Sequence, residues 1–105
     1  MTRLLPILLL VGAGAACGPV RSTAYLLDAD VALQAAKTAG AETYAPYEYT
    51  SAQLYLYKAR EEVGYSDYQV AVEFATKASK FANEARDKAL AAAQNDLPSA
   101  PSRNE

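Results

Sequence analysis

The sequence predicts an all-α protein, with three helices in one small domain preceded by a signal-peptide helix. Two observations carry that prediction. In three successive segments apolar residues recur at alternating spacings of three and four, which sets them along one face of a helix in each. Gly40 and Gly64 then punctuate the ends of the first two segments. With 105 residues, 51% of them hydrophobic and 21% charged, the chain fits a single domain. Much of its apolar content is alanine, so the core is thin, and stability must come from close backbone approach and the few Leu, Val, Phe and Tyr side chains. Four regions follow: a signal peptide over residues 1–16, a tether over 17–21, a helical domain over 22–93 and a disordered tail over 94–105.

The first stretch, "MTRLLPILLLVGAGAACGPV", has Arg3 as a positive flank, an apolar run over residues 4–11 interrupted by Pro6, and small residues leading to Cys17. That order is a secretory signal peptide. A permanent span needs about 20 apolar residues, and this run gives way to glycine at position 12. A secreted protein cut near Ala13-Gly14-Ala15 is the alternative, but it would carry Cys17 as a lone exported thiol exposed to oxidation. A buried packing cysteine is the plainest reading of Cys17, and its place at the end of an export signal argues against it. "GAAC", residues 14–17, resembles a bacterial lipobox, with Gly14 where leucine is usual. The resemblance implies removal of residues 1–16 and acylation of Cys17. Several acyl chains, each contributing about 0.8 kcal/mol per buried methylene, hold a protein durably on a bilayer. Gly18 rather than aspartate after the cysteine implies, by the same resemblance, an outer-membrane anchor facing the periplasm.

The first predicted helix, "STAYLLDADVALQAAKTAGAETY", takes Ser22 as its N-cap and carries Leu26, Ala29, Leu33, Ala36 and Gly40 on one face. Gly40 and residues 43–46 supply its stop. Pro46 suits the first turn of a second helix, where its missing N–H costs nothing and Glu48 meets the positive end of the dipole. That helix, residues 46–63, places Ala52, Tyr55, Leu56, Ala59 and Val63 in one arc. "SDYQ", residues 66–69, fits a capping box in which Ser66 and Gln69 satisfy each other's backbone N–H. The third helix repeats Tyr68, Ala71, Ala75, Ala78, Ala82, Ala85, Ala89 and Ala92 without a miss, a narrow seam that lets a neighbour approach closely. Phe74 and Phe81 flank it. Glu73 with Lys77, Lys80 with Glu84, and Glu84 with Lys88 are opposite charges at i,i+4 on a solvated face.

Seven of the eight tyrosines fall within residues 44–68. Tyr55 points into the main arc of the second helix and Tyr49 lies at its edge, whereas Tyr47, Leu54 and Tyr57 cluster on the opposite side. The middle helix of three can bury both sides, which places most rings in the core. The alternative is a partner-binding patch made of Tyr47, Leu54 and Tyr57.

"GYSDYQVAVEFATKA" resembles the second half of a tetratricopeptide repeat: Gly64, Tyr68, Ala71, Phe74, Lys77 and Ala78 fit its consensus, with two extra residues in the turn. No intact 34-residue period accompanies it. The likeness implies a three-helix, tetratricopeptide-like antiparallel helical hairpin plus a capping helix. A-P-Y-E-Y at residues 45–49, K-A-x-E-E at 58–62 and G-Y-S-D-Y at 64–68 resemble a family of uncharacterised bacterial lipoproteins that share a domain of unknown function, over about residues 24–93. Some such proteins add an OmpA-like peptidoglycan-binding domain, and this chain ends before one could begin. The resemblance implies export and helices and supplies no catalytic residues.

The chemistry points the same way. There is no histidine, and the adjacent Glu61 and Glu62 project about 100° apart on a helix, so they do not converge on one reacting atom. No catalytic, metal or cofactor site is expected. Scattered basic residues and a formal net charge of −2, about −3 once Arg3 is removed, do not make a nucleic-acid footprint. The expected partners are the membrane through acylated Cys17 and another envelope protein, with a structural or peptidoglycan-contacting role as the alternative.

Overall fold

A computed structural model describes residues 17–97. The expected signal peptide and residues 98–105 of the expected tail lie outside the described residues. Four helices make up the fold: α1 over Cys17–Thr38, α2 over Ala41–Tyr44, α3 over Pro46–Gly64 and α4 over Tyr68–Asn95. The chain is all-α, with no strand among the described residues. α3 and α4 form an antiparallel hairpin, and α1 lies against α4 running in the same direction, its Gly18 beside Tyr68 and its Ala35 across a groove from Asn83.

α4 is the helix on which the others lean. α1 and α3 each run along its length and touch one another far less. This corrects the expectation that the second long helix, α3, sits in the middle. The reason is the seam: Ala71, Ala75, Ala78, Ala82, Ala85 and Ala89 are all buried, and with only methyl groups on that face two helices can approach it side by side. α1 brings Ala29, Leu33 and Ala36, and α3 brings Tyr49, Ala52, Leu56 and Ala59.

Element ends follow from local chemistry. Residues 17–21, expected as a tether, are helical, and Ser22 is not a cap: its buried Oγ donates to the Pro19 carbonyl at 3.0 Å inside the first turns of α1. Pro19 is tolerated there because first-turn N–H groups have no helical partner. Gly18 packs so closely that a Cβ would stand 3.2 Å from Tyr68 Cδ2. Gly40 turns the chain in the left-handed region, φ 88°, and leads into the unexpected single-turn α2. Pro46 opens α3 and Glu48 occupies its first turn, as expected.

Between α3 and α4 the chain reverses at Ser66, whose φ is 61°. That conformation leaves Asp67 in front of α4, so Asp67 rather than Ser66 is the cap; its Oδ1 accepts from the Val70 N–H at 3.4 Å. α4 runs two residues past the expected boundary, to Asn95.

The tyrosines are not mainly core. Tyr49, 6% exposed, is the one buried ring, Tyr25, Tyr55 and Tyr68 are half-buried, and the other four are exposed. α3 presses the line through Tyr49, Ala52 and Leu56 inward, and no helix among the described residues covers its outer side. None of the expected i,i+4 charge pairs on α4 forms among the described residues: Lys88 reaches across to Glu48 instead, and Lys77 lies over aromatic rings.

Two measurements check this packing. Ala82→Leu, which forces a side chain into the shared seam, should destabilise the fold by about 1–3 kcal/mol in chemical denaturation, while Ala91→Leu on the exposed side of α4 stays within about 0.5 kcal/mol. Ser66→Gly should raise stability by about 1 kcal/mol, since glycine adopts the left-handed conformation without the Cβ clash.

Candidate functional site

The outer side of α3 and the adjoining edge of α4 carry the chain's main aromatic surface. Tyr47, Leu54 and Tyr57, singled out from the sequence, are 70%, 52% and 66% exposed. Tyr47 and Leu54 lie two turns apart on nearly one line, and Tyr57 is rotated about 60° from Leu54 at 100° per residue. The structure does not gather the three into one cluster. Tyr47 joins a different set: its ring meets Phe81 of α4 edge-on, with centroids 6.3 Å apart. Phe81 stacks on Tyr55 at 5.6 Å with planes 7° apart, and Tyr55 stacks on Phe74 at 6.0 Å.

Four rings from two helices therefore form a ladder along the α3–α4 groove. Two lysines lie over it. Lys77 Nζ is 5.6 Å from the Tyr55 centroid and 5.9 Å from that of Phe74, and Lys58 Nζ is 5.7 Å from that of Phe74. Offset and edge-on pairs of this kind contribute about 0.5–1.5 kcal/mol each beyond their area, and exposed cation–π contacts about 0.5–1 kcal/mol. The result is a stiff strip with apolar ring surfaces and a basic fringe. By periodicity alone, Phe74 and Phe81 are bulk beside the seam and Tyr55 is core. Their seven-residue spacing on one edge of α4 was the available signal, but the register of α3 against it was not readable.

Beside Tyr47, an ion pair fixes the two helices. Lys88 Nζ donates to Glu48 Oε1 at 2.9 Å, and the other oxygen, Oε2, is buried without a protein hydrogen-bond partner. Hydrogen bonding from Lys88, then the backbone N–H at the start of α3, holds the Glu48 carboxyl below its ordinary value of 4.5. Burial, and then the neighbouring Glu42 carboxylate, pushes the Tyr49 hydroxyl up. Hydrogen bonding to Asp96 and its negative charge push the Tyr44 hydroxyl up.

Cys17 is the first residue of α1. Glu61 is exposed and Glu62 half-buried, and among the described residues no three His, Cys, Asp or Glu side chains gather as a metal site. No helix among the described residues is long and apolar enough to cross a membrane. Two open grooves border α1: one of about 410 Å³ between Asp28, Val31 and Ala32 and the Ser79–Asn83–Arg86 edge of α4, the other of about 580 Å³ beside Gly18, Arg21 and Tyr68.

A family model described as a domain of unknown function (DUF4398) matches residues 24–97, which takes in most of α1 and all of α2, α3 and α4. No curated protein and no solved structure matches the chain.

The Glu48–Lys88 pair makes stability depend on acid in a defined direction. A carboxyl held below its ordinary value contributes stability that is present above 4.5 and is lost as pH falls through the lowered value. Lys88→Met should therefore melt below the wild type at pH 7, with the gap closing below pH 4.5 in circular-dichroism melts. A gap constant across that range would show that the pair does not tune the carboxyl.

Proposed function

The chain belongs to the DUF4398 family, and we propose that it works as a lipid-anchored, non-enzymatic adaptor of the bacterial cell envelope that presents its aromatic strip to another envelope protein. The observation that carries the adaptor reading is the exposure of Tyr47 and Leu54 beside a ladder already locked by Phe81, Tyr55 and Phe74, with Tyr57 exposed further round α3, about 160° from Tyr55. A surface whose rings are stacked before a partner arrives loses little side-chain freedom on binding, and exposed aromatic clusters on small proteins mark interfaces. The anchor reading rests on the sequence around Cys17, with the outer membrane as its destination and the periplasm as the compartment the domain faces.

A structural, peptidoglycan-contacting role is the second reading. Tyr57 and Tyr65 support it: both are exposed, and neither ring is stacked on another among the described residues, so their faces are open to sugar rings.

Fractionation and retention assays test both halves. The wild type should partition with membranes and Cys17→Ser should not; a wild type found in the soluble fraction removes the anchor. Tyr47→Ala combined with Tyr57→Ala should lower retention of the envelope partner at least about tenfold, as loss of two interface aromatics does, and unchanged retention removes the adaptor surface. Co-sedimentation with purified peptidoglycan that Tyr57→Ala and Tyr65→Ala abolish would favour the second reading instead.

A further inference from the structure

α1 is apolar on two opposite faces, and among the described residues only one of them is packed against the rest of the bundle. Ser22, Ala29, Leu33 and Ala36 turn toward the bundle and are buried. Opposite them, Val20, Ala24, Leu27 and Val31 follow one another at spacings of four, three and four, over about 16 Å of helix. Val20, Leu27 and Val31 are 66%, 60% and 68% exposed, and Ala24 is exposed beside them. Alternation of four and three along a line of aliphatic side chains is the spacing of a coiled-coil seam, and a helix apolar on both sides is one that a second neighbour covers.

The charges along the seam select that neighbour. Arg21 and Asp28, seven residues apart, stand on the same flank of it, and neither takes part in the ion pairs of the described residues, which join Asp30 to Arg60, Glu48 to Lys88 and Arg86 to Asp87. We infer that this face pairs with the same face of a second copy running in the opposite direction. In that arrangement Val20 lies against the second copy's Val31 and Ala24 against its Leu27. Arg21 of each chain then comes opposite Asp28 of the other, so one charge pair is made twice, as a two-fold interface requires. A parallel pairing sets Asp28 beside Thr23 and leaves Arg21 without a partner. A lipid surface is the other candidate occupant, but interfacial helices flank their apolar face with several Lys or Arg and with aromatic anchors, whereas this flank carries one charge of each sign. The inference does not depend on acylation of Cys17, because every residue it uses follows that position.

A seam of four side chains is short, so the pair should be weak, with a dissociation constant of about 10–100 µM. Sedimentation equilibrium of the full chain in mild detergent with a thiol reductant, from about 5 to 300 µM, should show a monomer–dimer equilibrium, and Cys17→Ser should show the same one. Leu27→Glu should remain monomeric throughout with an unchanged thermal melt, since Leu27 is exposed in the single chain. Arg21→Glu should weaken the dimer about tenfold by setting like charges together, and Arg21→Glu with Asp28→Arg should restore it to within about threefold. A wild type that stays monomeric, a Leu27→Glu variant that still dimerises, or a charge exchange that fails to restore association would each overturn the proposal. It would also fall if the chain were monomeric and Leu27→Glu, in the Cys17→Ser background, abolished sedimentation with phosphatidylethanolamine–phosphatidylglycerol vesicles, an outcome that would give the face to the bilayer.

Discussion

The close packing of α1 and α3 against α4 depends on the methyl groups of α4. A helix whose buried face is Ala71, Ala75, Ala78, Ala82, Ala85 and Ala89 contributes little transfer free energy per residue, since each alanine removes only one small side chain from water. What it contributes is proximity. Neighbouring backbones come close enough for many weak dispersion contacts to add up, and the larger side chains on the other helices, Leu33, Tyr49 and Leu56, close over the gap. One narrow face thereby serves two helices, and the rest of the molecule is arranged around that economy.

The polar and aromatic features sit where the seam ends. On one edge of α4, Phe74 and Phe81 reach α3 and order the rings of Tyr55 and Tyr47, while Lys88 crosses to Glu48. Toward α1, the Asp30–Arg60 pair at 3.1 Å joins the two outer helices, both partners well exposed. Such pairs add little stability in water. Their use is register, since an ion pair thirty or forty residues apart in sequence specifies which turn of one helix faces which turn of another.

Much of this was legible in the sequence, and the pattern of misses has a physical cause. The α4 alanines, the Pro46 start and the inward line of α1 all follow from periodicity and from proline or glycine chemistry, which act within one helix. Periodicity tells which side of a helix is apolar but not who shares it, so α4 was not recognisable as the middle helix. It also favours one face over two, and the outer line of Val20, Leu27 and Val31 went unread beside the inner one. Ser66 looked like a cap because the choice between Ser66 and Asp67 depends on a backbone reversal that no residue pattern displays. Residues 17–21 read as a tether because proline and glycine look like helix breakers out of context, whereas Pro19 sits in the first turn of α1 and Gly18 packs on Tyr68. Of the residues marked as a surface, Tyr47 proved to be one rung of a structure whose other rungs come from a second helix.

The shared direction of α1 and α4 gives the bundle a property that no side chain confers. Their N-termini lie together, with Gly18 beside Tyr68, and α3 brings its C-terminus to the same end. Each helix end carries roughly half an elementary charge, so two positive ends against one negative leave about half a positive charge there, balanced by its opposite at the far end. This is a permanent electrical polarity of the backbone, set by topology and indifferent to pH. At that end it is opposed by full side-chain charges, since Glu61, Glu62, Asp67 and Glu73 gather there against Arg21, so the backbone polarity offsets part of an acidic surface rather than creating a positive one.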